Sequence, residues 1–386
     1  MLDFTSALYL GIRHPSRSLR SWPGLTTGKP AALESPPSAE GVAKSLAALQ
    51  GCERVGLFSS TLHLFFDLFE GLRHKGVRLY VDGGAYPIAR WGAERSAARG
   101  VLLRTIPHYD PIAAQVLIEK DRASGLRPVI LADGYCARCG LVAPLKPFLD
   151  CVVPNSGYVV LDDTQALGIF GETPDRTNPY GRGGGGALRL HDIHSPAVIV
   201  GSSLAKGFGA PLAALGGNAE LVSQIMRRSE TRVHCSPPSI ATLHAAKHAL
   251  ALNGTRGDAI RLHLLELVIR FRKQITGMGI SVSRSLFPVQ ALALDPHFGT
   301  VRLHRTLREA GVQTLLVRNR KTSGVKLLFV FNASHSIGDV DQATMLLDAA
   351  IRVQCQSRRF DWTKRRDDVA VNRWTCNCWL ETSESS

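Results

Sequence analysis

No stretch of the chain reaches the about 18 consecutive apolar residues that a membrane-crossing helix needs, so a membrane protein is not expected. The opening segment MLDFTSALYLGIRH lacks the basic start and small-residue cleavage site of a secretory signal, which points to the cytoplasm. The eight cysteines (52, 136, 139, 151, 235, 355, 376 and 378) follow no regular framework, and a chain of 386 residues needs no disulfides to fold. Cys136 and Cys139 make a C-x-x-C and Cys376 and Cys378 a C-x-C, but spacing does not join the pairs, and no metal is expected. Acidic residues are the scarcer charge, 32 against 46 Lys and Arg, a formal net charge of +14. The excess is spread along the chain apart from one dense patch, SRRFDWTKRRDD (357–368). No helix-turn-helix, zinc-finger or RNA-binding signature accompanies it, so nucleic acid is not an expected partner. The charge then serves solubility first and the steering of acidic substrates second.

What is present is an ordinary globular composition, 45% hydrophobic and 20% charged, in a chain long enough for a large domain and a smaller one. From residue 41 helical and strand-like stretches alternate: RVGLF, VRLYV, VLLRTI, PVILAD, YVVLDD and PAVIVG are short β-rich runs separated by helical segments. Strict alternation implies crossover units, a mostly parallel sheet and helices on both of its faces. Such sheets bind ligands at the carboxyl ends of their strands. The segments PSIATLHAAKHALALNG and DAIRLHLLELVIRFRKQITGMG read as two linking helices, followed by a small α+β unit. The expected organisation is an arm over 1–45, a large domain over 46–275, a small one over 276–356 and a disordered basic tail over 357–386.

The segment GSSLAKGFGAPLAALGG (201–217) places Lys206 among hydroxyls, glycines and short apolar residues just after the strand-like PAVIV. A lysine held there is partly desolvated, which lowers its pKa and frees its amine for imine chemistry. A Schiff base with pyridoxal phosphate needs further groups, and each has a candidate at an expected strand end. Asp162, closing YVVLDD, can keep a pyridine nitrogen protonated, and Gln165 can reach the phenolic oxygen. Tyr86 in VDGGAYP can cover the ring face. Ser60 and Thr61 open a helix whose free N–H groups suit a phosphate, and Ser203 can add a hydroxyl. Taken singly, each also has an ordinary structural role: cap, packed aromatic or flexible turn. Their order along the chain favours the cofactor.

In that order the chain resembles the α-oxoamine synthases, a family within the fold-type I pyridoxal phosphate enzymes of the aminotransferase class I/II superfamily. DFTSALYLGI is similar to the family's F-S-S-N-D-Y-L-G, VDGGAYP to D-x-x-N-H-A-S, ADGYCARCGLVAPL to E-G-V-F-S-M-D-G-x-x-A-P-L, LDDTQALGIFGE to D-D-A-H-G-x-G-x-x-G, GSSLAKGFG to G-T-F-S-K-A-x-G and FNASHS to T-A-A-H-T. The resemblance spans roughly residues 3–353. It implies a large domain with a mostly parallel sheet, a small C-terminal α+β domain, a homodimer with the active site at the subunit interface, and a condensation of an amino acid with an acyl thioester that loses carbon dioxide. On that pattern Lys206 carries the cofactor and moves protons at Cα, Asp162 supports the electron sink and Tyr86 stacks on the ring. Partners are then a small-molecule amine and an acyl-coenzyme A or acyl-carrier thioester.

The chain also departs from the pattern. Tyr86 and Gln165 stand at histidine positions and Ala137 at a serine position. Leu328 stands where an arginine grips the substrate carboxylate, with Lys326, Arg318 and Arg320 as candidate replacements. Transamination, or another pyridoxal phosphate reaction on an amine without a free α-carboxylate, is the alternative these departures leave. A non-catalytic binding module is a lesser one, against which the retained Lys206 and Asp162 speak.

Overall fold

The computed structural model describes residues 1–14, 24–283, 285–294, 299–318 and 325–356. The basic patch and tail and Arg320 lie outside the described residues, as does the side chain of Arg318. In chain order the strands are β1 (Leu2–Asp3), β2 (Arg54–Phe58), β3 (Val77–Asp82), β4 (Leu102–Ile106), β5 (Arg127–Asp133), β6 (Tyr135–Cys136), β7 (Leu141–Val142), β8 (Tyr158–Asp162), β9 (Val198–Ser203), β10 (Ala213–Gly217), β11 (Ser281–Val282), β12 (Val289–Ala293), β13 (Val312–Gln313), β14 (Leu315–Arg318) and β15 (Val325–Val330). Two units are present. The larger is chiefly residues 12–136 and 142–258, the smaller chiefly 1–11 and 259–356.

The larger unit carries a seven-stranded sheet in the order β2-β10-β9-β8-β5-β3-β4. Contacts among β3, β4, β5, β8 and β9 are parallel, and only β10 runs against its neighbours β2 and β9. A sheet covered by helices on both faces has no solvated side, so its central strands are apolar without alternation. Val129 to Ala132 and Val159 to Leu161 are fully buried on this account. The sheet therefore has the doubly covered, mostly parallel form expected from the alternation.

Helix Thr61–Arg73 follows β2 and buries Leu64, Phe65, Leu68, Phe69 and Leu72, a stripe of helical period against the sheet. Ser60 caps it, accepting from His63 N at 3.4 Å. Helix Pro87–Ala97 packs against it at Gly92, where a Cβ would meet the Phe65 carbonyl oxygen at 2.7 Å. Only a residue without a side chain permits that approach.

The two linking helices are one. Ile240–Gly277 runs unbroken for 38 residues through Asn253 and Gly254, where the sequence suggested a stop. An isolated glycine costs a helix only about 1 kcal/mol relative to alanine, and the packing on either side outweighs it. Asn253, instead of ending the helix, donates its side-chain amide to Gly183 O at 2.9 Å, while Gly183 N donates to Asp258 at 2.9 Å. The glycine run of residues 183–186 is thereby anchored, with a backbone φ of +80° at Gly183 that favours glycine.

The arm expected over residues 1–45 is divided between the units. In the smaller unit β1 pairs with β13, and the Phe4 ring stacks on His335 with centroids 4.3 Å apart. An antiparallel sheet, β11-β12-β15-β14, and helices Thr300–Glu309 and Ile337–Gln356 also belong to that unit. Replacing Gly92 by alanine should destabilise the protein by about 1–3 kcal/mol by overpacking, read as a lower denaturant midpoint; an unchanged midpoint would mean the helices separate without cost.

Candidate active site

The strand ends of the larger sheet bring the first acidic groups together. Asp133 at the end of β5 is the register partner of Asp162 at the end of β8, and Asp162 is the partner of Gly201 in β9. Asp162 is buried and accepts from Thr164 N at 3.1 Å. Its neighbour Asp163 serves the fold: it accepts from Ala187 N at 3.1 Å behind the glycine run. Burial pushes Asp162 above the usual carboxylate range. Burial and the adjacent Asp162 charge together push Asp133 well above it. Two side-by-side carboxyls in a dry site retain a proton between them unless a cation joins them.

Lys206 is a cation whose charge acts on this pair. Its turn is fixed by backbone bonds from Leu204 N to Leu212 O at 2.8 Å and from Phe208 N to Leu204 O at 3.1 Å. Burial lowers the Lys206 pKa, and the charges of Asp162 and Asp133 partly restore it. Its amine stands 5.5 Å from the centre of the Tyr86 ring. Tyr86 precedes helix Pro87–Ala97, with proline at its first position, and its backbone N–H donates to Asp133 at 2.8 Å. Asp133 thus both raises the local negative potential and sets the height of the ring.

The other expected residues take these places. Ser60 and Thr61 lie at the start of helix Thr61–Arg73, where the first N–H groups have no helical acceptor. The Ser60 hydroxyl is occupied with His63, so the backbone is the anion donor left there. Ser203 ends β9; its N–H donates to Thr164 Oγ1 at 3.1 Å and its hydroxyl accepts from Ala205 N at 3.3 Å. Gln165 is half-buried in the turn after Asp162. The register Phe58–Ala213–Ser203 sets the ends of β2 and β9 at the same edge of the sheet, so that Ser60, Lys206 and Asp162 belong to one margin. Amine, paired carboxyls, exposed aromatic face and helix start are the set that a phosphorylated pyridine aldehyde requires. Lys326 lies in the smaller unit on β15, on the same half-exposed face as Leu328; burial lowers its pKa, and the positive charge of Arg138 adds to this.

Three contributors escaped the sequence. Asp133 closes PVILAD as Asp162 closes YVVLDD, and this shared pattern is the sequence signal for it. His14 reaches the lysine turn from the other end of the chain: its ring lies 3.1 Å from Phe208 O through Nε2 and 3.1 Å from His248 Nδ1 through Nδ1. His108 sits behind the Tyr86 loop, its Nδ1 2.6 Å from Asp82.

No family model matches the chain. Over 320 residues it is 24% identical to an 8-amino-7-oxononanoate synthase of Alcanivorax borkumensis, covering 82% of this chain and 77% of that one. Its fold superposes on a serine palmitoyltransferase of Sphingomonas wittichii with a TM-score of 0.80 at 18% identity, covering 91% and 87% of the two chains. A serine palmitoyltransferase from S. paucimobilis with a bound PLP–myriocin aldimine superposes with a TM-score of 0.79 at 14% identity, covering 91% and 87%. The chain is similar in sequence to 8-amino-7-oxononanoate synthases, as the resemblance to the α-oxoamine synthases implies. Its fold is that of the fold-type I pyridoxal phosphate enzymes.

A folded-state carboxyl pKa above its unfolded value near 3.9 gives stability present in acid and lost as the pH rises through the raised value. Asp133→Asn keeps an oxygen for Tyr86 N–H and removes that loss. The cofactor-free variant should be more stable than the parent at pH 8, with the difference vanishing below about pH 4. Denaturant midpoints across pH check this; a variant that is less stable at pH 8 would show that Asp133 ionises without cost.

Proposed function

We propose that this protein is a pyridoxal phosphate-dependent transferase that condenses an amino acid with an acyl thioester and releases carbon dioxide. What carries the reading is the set Lys206, Asp162, Asp133 and Tyr86 at one sheet margin in a chain similar in sequence to 8-amino-7-oxononanoate synthases. Pyridoxal phosphate, when bound, supplies the sink for the electron pair left on the substrate Cα. Lys206 would hold the cofactor through its Nζ, whose pKa burial lowers, which favours the free amine relative to a solvated lysine. The same nitrogen would take the Cα proton of the substrate and later return one. Asp162, kept anionic by the cation it faces, holds a proton on the ring nitrogen. Tyr86 covers the ring face and excludes water from it. The first N–H groups of helix Thr61–Arg73, with Ser60, Thr61 and Ser203 around them, bind the phosphate, and Gln165 reaches the phenolic oxygen.

The balance of the condensation is simple. The Cα electron pair forms a bond to the thioester carbonyl carbon, the thiolate leaves and takes up a proton, and the carboxyl group departs as carbon dioxide. Lys326 would grip the substrate carboxylate before that loss. Coenzyme A or a phosphopantetheine carrier suits the +14 charge of the chain. A homodimer in the cytoplasm completes the proposal. A second reading, transamination or another reaction of an amine lacking a free α-carboxylate, is favoured by one observation: Leu328 faces outward on β15 where the family's strand carries an arginine.

Borohydride should fix a pyridoxyl group on the peptide carrying Lys206, found by mass spectrometry, and Lys206→Ala should abolish it. A parent protein that takes up no pyridoxal phosphate would overturn the proposal. Lys326→Ala should raise the KM for the amino acid by about 10–100-fold, the worth of one hydrogen bond to a charged group, with a smaller change in kcat. An unchanged KM removes Lys326 from the carboxylate site.

A further inference from the structure

We infer that His14, His244 and His248 bind a zinc-type divalent ion beside the turn that carries Lys206. All three histidines belong to the larger unit and are half-buried. His14 and His248 meet nitrogen to nitrogen, Nδ1 to Nδ1 at 3.1 Å, with the two rings steeply crossed and their centroids 5.3 Å apart. Two imidazole nitrogens that share an ion at bonds of about 2.0–2.1 Å stand about 2.8–3.4 Å apart, for bond angles between the octahedral and the tetrahedral value. The pair therefore already has the spacing of two ligands. His244 is the third. It stands four residues before His248 in helix Ile240–Gly277, on the same helical face, with Cβ atoms about 5–6 Å apart. Helical side chains lean toward the N-terminus of their helix, so His248 leans over the turn that carries His244. The side chain of His244 makes no hydrogen bond among the described residues, and rotation about its own side-chain bonds brings its ring to the pair.

Hydrogen bonding leaves one arrangement of protons in the empty cluster. Phe208 O only accepts, so His14 Nε2 carries the hydrogen of their 3.1 Å contact. A neutral His14 then has its lone pair at Nδ1, which accepts from Nδ1–H of His248. Burial holds the His14 pKa below the usual histidine range; the Phe208 bond opposes this, and the charges of His248 and His244 add to it. The ring is thereby kept in the neutral, ligating form. An ion takes the place of the proton between the two Nδ1 atoms: that proton passes through water to Nε2 of His248, both Nδ1 lone pairs become ligands, and none is released. His14 keeps its Nε2–H on Phe208 O, the kind of carbonyl contact that orients a metal-bound histidine. Three imidazoles with water in the fourth position suit zinc, and they disfavour magnesium and calcium, which take oxygen ligands.

The site also has a structural consequence. Phe208 lies two residues beyond Lys206, and its N–H donates to Leu204 O at 3.1 Å across the turn. An ion joining His14 to the helix would hold the far side of the lysine turn through the Phe208 carbonyl.

The test uses the full-length protein without a histidine tag and reads metal rather than activity, so its outcome is independent of the proposed reaction. After stripping with chelator, incubation with excess zinc and gel filtration, elemental analysis should find about one zinc per chain. His244→Ala and His248→Ala should each lower zinc retention at least about tenfold. His194→Ala, at an exposed histidine beside Asp192, should leave it unchanged. Cobalt(II) in place of zinc should give visible bands without the strong near-ultraviolet absorption of thiolate ligation, which separates this cluster from any site built on cysteine. Should both variants fail to fold, the cobalt spectrum of the parent protein carries the test. A parent protein that retains no zinc, retention in His244→Ala equal to that of the parent, or a thiolate band in the cobalt protein would each overturn the proposal.

Discussion

The pair of carboxyls at the ends of β5 and β8 is the constraint on which the rest of the site depends. Sheet register alone makes Asp133 and Asp162 neighbours, and burial denies them the water that would separate their charges. A folded protein has no structural need of such a pair, since each buried anion raises the cost of the other. It becomes stable when a cation enters. Lys206 supplies one positive charge from the turn after the adjoining strand, and on the proposed function a pyridinium nitrogen held by Asp162 would supply the second.

The same electrostatics sets the state of the lysine. Burial draws its pKa down while the two carboxyls draw it up, so the amine is poised nearer to neutrality than a solvated lysine. Asp133 has a further role as a brace, because it receives the backbone N–H of Tyr86 and fixes where the ring begins. One residue thus links the charge of the site to its shape. His14 and His248 add a second brace at the Phe208 carbonyl, two residues beyond Lys206.

Much of this was legible in one dimension. Apolar runs such as YVVLD and PVILAD can only be central strands of a doubly covered sheet, and alternation with helices fixes their parallel sense. Lys206 and Asp162 stood out because a charged residue directly after such a run has no ordinary reason to be there. Asp133 obeys the same rule, yet its importance comes from register, which no local pattern reveals. The unbroken helix through Gly254 shows the converse: a local breaker signal is weak when packing on both sides favours continuation.

The measurement that bears most directly on this account is the protonation state of the ring nitrogen in the loaded protein, read from the chemical shift of pyridoxal phosphate labelled with nitrogen-15. A pyridinium shift that persists from pH 6 to pH 9, and is lost in Asp162→Asn, is the predicted result. A neutral pyridine in the parent protein would mean that the buried carboxyl pair serves something other than the cofactor, and the central claim would fall.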